Sequence, residues 1–208
     1  MSNPGHIIYI VDDDVSICRA LSLLLKSHGF KVETFMTAAD FLAFKHFKLP
    51  SCLVLDIQLP DINGLALQDA MAGRKLTIPI IFITGHGDIP MSVRAMKAGA
   101  IDFLPKPFTE KKLLNAIMQA ISKNKIQIKE LAEISKIKRR IKTLSPRELE
   151  VFQLVAKGML SKQIAFKRGI TLQTIKVHRS RVMQKMQAKT VTELIRFAQK
   201  AGITPPKQ

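Results

Sequence analysis

Five side chains, far apart along the chain, fall at the ends of apolar runs, where a shared site could use their chemistry. Asp12 and Asp13 close the apolar run Tyr9-Ile-Val11, Asp56 closes a second run, Thr84 ends a third, and Lys106 sits between two prolines after a fourth. Carboxylates brought together repel unless they are protonated or bridged by a cation, and a hard divalent ion such as Mg²⁺ accepts oxygen ligands in near-octahedral geometry. Taken alone, the acids fit either a metal site or a solvated loop. The hydroxyl of Thr84 and the ammonium of Lys106, the latter flanked by prolines that demand a special backbone, add a donor and a cation to the acid pair and the further acid at the run ends. The third acid of the row, Asp14, opens the next helical segment, where the helix dipole favours a carboxylate.

The elements that must gather these residues are readable between positions 7 and 122. Short runs rich in β-branched residues (HIIYIV, KVETF, CLVLD, IPIIFIT, AIDFL) alternate with segments of helical period. Continuous apolar character, as in Pro79 to Thr84, predicts strands buried on both faces of a parallel sheet, with helices as the crossovers. Five such units predict an α/β doubly wound, five-stranded parallel sheet of flavodoxin-like type. Its ligands gather outside the carboxyl ends of the strands, where strand order reverses.

The motifs VDDD, LDIQLPDINGL, ITGHGD and AMKAGAIDFLPKPF, in this order over residues 7–121, resemble the receiver domain of two-component response regulators. The resemblance implies that Asp56 accepts a phosphoryl group from the phosphohistidine of a sensor histidine kinase. It implies Mg²⁺ bound by Asp12, Asp13, Asp56 and the backbone carbonyl of Gln58. Lys106 would neutralise the phosphoryl oxygens, Thr84 would hydrogen-bond them, and Phe103 would follow Thr84 as an aromatic switch; plain core packing is the alternative for Phe103. Gln58 and His86 lie where the family tunes phosphoryl lifetime, and the Lys106–Pro107 bond is expected to be cis.

Charge separates a second part. Residues 1–122 carry a balance of +1, whereas residues 123–208 hold 21 Lys+Arg and 5 Asp+Glu, a balance of +16. An excess of this size on a segment with apolar periodicity suggests a polyanion, nucleic acid before anionic membrane. We divide the chain into a receiver at 1–122, a partly helical linker at 123–142 and a small all-α domain at 143–208. The linker's apolar stripe fits a dimer seam or a helix lying on its own domain equally well. Ser145-Pro-Arg-Glu148 is a capping box with proline at the first helical position. Helices are predicted over 146–157, 161–168, 172–187 and 191–200, followed by a disordered tail, ITPPKQ.

The pair 161–168 and 172–187 reads as helix, tight turn, helix. Its second helix buries Ile175, Val182 and Met186 and turns Lys176, Arg179 and Ser180 outward, toward a major groove. The segment from Thr143 to Ala201, TLSPRELEVFQLVAKGMLSKQIA followed by TIKVHRSRVMQKM, resembles LuxR-type helix-turn-helix domains. The whole chain is similar to FixJ-type members of the NarL/FixJ family. By matched position, Lys176, Val177 and Ser180 would face base edges of double-stranded DNA, while Thr174, His178, Arg179 and Arg181 would position the backbone or flank the groove. Ser180 stands where many relatives carry lysine, which alters the expected operator because a short hydroxyl reaches fewer base edges.

The resemblance therefore implies a phosphorylation-dependent DNA-binding transcription regulator, with a histidine kinase, a second copy of itself and the transcription machinery as partners. The rivals are a phosphorylation-independent regulator of similar fold, against which the full set Asp12, Asp13, Asp56, Thr84 and Lys106 argues, and a metal-dependent enzyme. Aspartyl phosphatases need an acid two residues after the nucleophile, and Gln58 stands there; a two-metal nuclease built on Asp12 and Asp14 lacks further acids and a base. Two cysteines, Cys18 and Cys52, give neither a disulfide framework nor metal spacing. With no run of about 18 apolar residues and no leader pattern, the expectation is a cytoplasmic protein without a membrane partner.

Overall fold

The computed structural model describes residues 5–85 and 89–203. The chain forms two compact units, residues 1–128 and 129–208.

In the first unit, β1 (Ile7–Val11), β2 (Lys31–Phe35), β3 (Ser51–Asp56), β4 (Ile80–Thr84) and β5 (Asp102–Pro105) form one parallel sheet in the order β2-β1-β3-β4-β5. The three central strands β1, β3 and β4 are buried along their whole length, and the edge strands β2 and β5 are partly open. The continuous apolar runs thus belong to strands covered on both faces, while the mixed KVETF belongs to an edge. The four crossovers α1 (Val15–Ser27), α2 (Ala38–Ala43), α3 (Gly64–Gly73) and α4 (Ile89–Lys97), and the helix after the last strand, α5 (Glu110–Ile141), divide between the two faces. Tyr9, Phe41, Leu55, Leu67 and Phe82 centre one apolar layer; Ile8, Ile10, Leu25, Val54, Ile83, Leu113 and Ile117 centre the other. The single tyrosine, Tyr9, is fully buried among Phe35, Phe41, Phe44 and Phe47, and its hydroxyl accepts the Lys48 N–H at 2.8 Å.

The second unit contains α6 (Pro146–Ala156), α7 (Ser161–Arg168), α8 (Leu172–Met186) and α9 (Val191–Lys200) around Phe152, Ile164, Ile175, Val182, Met186 and Leu194. Ser145 and Glu148 close the capping box at the start of α6. Gly169, at φ 62°, makes the left-handed turn between α7 and α8 that a side chain would oppose. The end of α8 comes one residue earlier than periodicity alone suggests: Gln187 adopts φ 51° and leaves the helix, its side chain taken by Arg140.

The segment 123–142 does not stand apart as a linker in its contacts. Asn124 is fully buried in the first unit, where its Oδ1 accepts the Ser51 N–H at 3.1 Å and its Nδ2 donates to the Thr77 carbonyl at 2.9 Å. Ile137 is buried in the core of the second unit. Along the same segment Ile126 and Leu131 are exposed. Residues 204–208 of the tail lie outside the described residues.

Candidate functional site

The acids meet because of strand register. In the sheet Val11 lies beside Leu55, and Asp56 beside Ile83, so the ends of β1, β3 and β4 come level where strand order reverses between β1 and β3. Asp12 leaves β1 with its N–H donating to the Phe35 carbonyl at 3.2 Å, and the Cys18 thiol donates to the Asp12 carbonyl at 3.3 Å. Asp14 is the N-cap of α1, accepting the N–H groups of Ser16 and Ile17. The three consecutive acids thus separate into a site pair and a helix cap.

Asp12, Asp13 and Asp56 bring carboxylate oxygens within 4.8 Å of one another. Asp12 and Asp56 are buried, and Asp13 is exposed. The Lys106 ammonium donates to Asp12 Oδ2 at 2.8 Å and to Asp56 Oδ2 at 2.6 Å. Burial pushes the Asp12 carboxyl above the usual carboxylate range, and its hydrogen bond to Lys106 offsets this only in part. Burial alone would lower Lys106; the hydrogen bonds to Asp12 and then Asp56 outweigh it, so its ammonium is held above the usual lysine value. The Lys106–Pro107 peptide is cis, and the Lys106 N–H donates to the Thr84 carbonyl at 2.7 Å.

Thr84 is fully buried at the end of β4, in register with Pro105 on β5. Phe103 is half-buried, paired in register with Phe82 and packed against its ring at 6.4 Å between centroids. Gln58 donates its N–H to Asp56 Oδ1 at 3.0 Å. His86 lies outside the described residues. Two supports of the site carry no chemical signature in the sequence. A Cβ on Gly64 would lie 2.4 Å from the Asp56 carbonyl oxygen, so α3 approaches the acceptor strand at a distance only glycine permits. Asp61 caps α2 from the loop after β3, accepting the N–H groups of Ala38 and Ala39, and these bonds hold its carboxyl below the usual range against the opposing effect of burial.

The second site is the exposed side of α8. Ile175, Val182 and Met186 are buried, as their spacing predicts. Thr174, Lys176, Val177, Ser180 and Arg181 are exposed. Arg179 departs from the expected outward face: it is half-buried and donates to the Ser161 hydroxyl at 2.9 Å, tying α8 to the start of α7. His178 is half-buried too, its Nδ1 enclosed beside a cavity of about 160 Å³ that Arg147, Glu150 and Arg168 also line. Helical spacing places a side chain on an arc; a long guanidinium then follows the nearest acceptor.

A parallel sheet that collects an acid pair, a further carboxylate, a hydroxyl and a lysine at its carboxyl ends, on a chain with a basic helix-turn-helix unit, defines a receiver coupled to a DNA-binding domain. Residues 8–118 match the model of the response regulator receiver domain, and residues 142–198 that of the LuxR family of bacterial regulatory proteins. Nodulation protein W of Bradyrhizobium diazoefficiens is 43% identical over 95% of this chain and 87% of its own length. Transcriptional regulatory protein FixJ of Rhizobium meliloti is 38% identical over 96% and 98% respectively. The solved structure of the response regulator StyR superposes with a TM-score of 0.79 at 43% identity, covering 94% of this chain and 98% of that one. The chain belongs to the NarL/FixJ-type response regulators. It is a phospho-regulated transcription regulator with a DNA-binding helix-turn-helix domain. No helix among the described residues is long and apolar enough to cross a membrane.

Proposed function

We propose that Asp56 is the phosphoryl acceptor. The observation that carries this reading is the convergence of Asp12, Asp56 and the Lys106 ammonium within hydrogen-bonding distance, with Asp13 at the rim. An Asp56 carboxylate oxygen attacks the phosphorus of a kinase phosphohistidine; the new oxygen–phosphorus bond forms as the phosphorus–nitrogen bond breaks, and the departing imidazole takes up a proton. Lys106 then exchanges its bond to Asp56 for the phosphoryl oxygens, and Thr84 supplies a further hydrogen bond. The donor set consists of hard oxygens, which fits Mg²⁺ held by Asp12, Asp13, Asp56 and the Gln58 carbonyl. When bound, the ion neutralises charge on the transferring group.

Thr84 and Phe103 lie on adjacent strands, so inward movement of the hydroxyl opens room for the ring and alters the packing of α4 and β5. Ile89, Val93 and Met96 leave α4 with an exposed apolar side that suits pairing with a second copy. Dimerisation, or release of the basic unit, would bring two copies of α8 to two half-sites, with Lys176, Val177 and Ser180 at base edges and Thr174, Arg181 and the partly enclosed His178 and Arg179 beside the backbone. There the regulator would engage the transcription machinery. The test is gel filtration and DNA binding with and without fluoroberyllate and Mg²⁺. Together these should raise both apparent mass and DNA affinity; no change in either would overturn the switch.

A further inference from the structure

The basic unit carries more positive charge than α8 uses. A second concentration, Lys136, Lys138, Arg139, Arg140 and Lys142, lies at the end of α5. This helix end is fixed on the second unit by one of its sides. Ile137 is buried in the core and Ile141 packs against it. Arg140 donates to the Met186 carbonyl at 3.2 Å and lies 6.0 Å from the Phe197 ring centroid, while Glu133 pairs with Lys200 at 2.5 Å.

At about 100° per residue, Glu133, Ile134, Ile137, Arg140 and Ile141 fall within an arc of about 120°, and Lys136, Lys138, Arg139 and Lys142 occupy the opposite arc of about 160°. All four of these cations are exposed, and among the described residues none is in an ion pair. The carboxylates of Glu133, Glu148, Glu150 and Glu193 are engaged by Lys200, Lys185, Arg147, Arg168 and Arg196 instead. A face that serves solubility mixes signs; this one has no acid from Ser135 to Lys142. It is also joined to α8. Lys185 of α8 donates to the Thr143 carbonyl at 3.2 Å, one residue beyond Lys142, and Arg140 holds Gln187, six residues or about 9 Å of helix past Arg181.

We propose that the outer arc of the α5 end is a second phosphate-binding strip, which contacts the DNA backbone flanking the groove that α8 enters. The inference rests on the reading of α8 as the DNA-facing helix, and supplies affinity without sequence preference.

The test uses the full chain, a random-sequence 30-bp duplex and fluorescence anisotropy between about 50 and 200 mM salt. A Lys138→Gln, Arg139→Gln, Lys142→Gln variant should lose at least about tenfold in affinity, and its log K against log salt slope should be shallower by about 2 to 3. Its thermal unfolding and its phosphoryl labelling should match the parent, because among the described residues none of the three side chains has an ion-pair partner to lose. A Lys138→Arg, Lys142→Arg variant should keep the parental slope. A Lys176→Gln, Arg181→Gln variant tests α8 separately. If that variant loses affinity and slope while the α5 variant keeps both, the strip is overturned and the α8 reading stands; if neither changes, both fall. A parental DNA slope combined with lost binding to phosphatidylglycerol vesicles would assign the strip to a membrane surface and equally overturn the proposal.

Discussion

Gly64→Ala tests how the acceptor is positioned. The added methyl carbon would stand 2.4 Å from the Asp56 carbonyl oxygen, 3.0 Å from Ile57 Cα and 3.3 Å from the Asp56 carbonyl carbon, where ordinary contact begins at 3.4 Å. The shortfall against the oxygen is about 1 Å, and every atom in the way is backbone, so relief requires moving the end of β3 or the start of α3. Overpacking of this kind costs about 1–3 kcal/mol, and the better helix propensity of alanine returns at most about 1 kcal/mol. A net loss of about 1–2 kcal/mol is expected. The functional effect is larger, since a displacement of about 1 Å at a reacting group lowers rate on the order of 100-fold. Tyr9 is the only tyrosine in a chain without tryptophan and is buried in the receiver, so its emission in a urea titration follows that unit alone. Labelling by acetyl phosphate with Mg²⁺ gives the rate. Gly73→Ala, at the far end of the same helix with nothing within 4 Å of the new carbon, is the control and should be neutral or stabilising. Parental stability together with parental labelling in Gly64→Ala would refute the close approach.

Lys106→Met removes the cation shared by Asp12 and Asp56 and should lower receiver stability by on the order of 3 kcal/mol without metal, with Mg²⁺ restoring more in the variant than in the parent; equal Mg²⁺ responses in denaturant titrations would count against a shared acid site. The hydrogen bond from Lys185, and then that from Ser145, holds the Glu148 carboxyl below its ordinary value of 4.5. Its contribution is therefore complete above about pH 4.5 and fades as pH falls through the lowered folded value. Glu148→Gln should cost about 1–2 kcal/mol at neutral pH and flatten the acid limb of the helical unit's stability, followed by far-UV ellipticity; an unchanged limb would remove Glu148 as its source. Arg179→Ala should cost the helical unit about 1 kcal/mol through its lost bond to Ser161, whereas Lys176→Ala should stay within about 0.5 kcal/mol and weaken DNA binding. The reverse ranking in thermal unfolding would show that Arg179 is not the tie between α7 and α8.

The strands and the meeting of the acids were legible because parallel strands buried on both faces leave uninterrupted β-branched runs, and because the chemistry stands at the ends of those runs. Asp14 was legible as a helix cap from position alone, and Ile175, Val182 and Met186 from helical spacing. What was not legible depends on partners distant in sequence. Asn124 reads as an ordinary helix residue until Ser51 and Thr77 are brought beside it. The exit of Gln187 from α8 depends on Arg140, and the inward turn of Arg179 on Ser161. Gly64 differs from any other helix-opening glycine only through the backbone of β3 beneath it. Periodicity reports which arc of a helix is covered, and the third dimension supplies what covers it.

The most direct measurement of the central claim is site-mapped phosphoryl labelling of the full chain by acetyl phosphate, with and without Mg²⁺, in parent and Asp56→Asn. One phosphoryl group on Asp56, gained only with Mg²⁺ and absent from the variant while its basal DNA binding persists, is the expected result. Undiminished labelling of Asp56→Asn at a single site, or labelling of the parent at another residue, would contradict it.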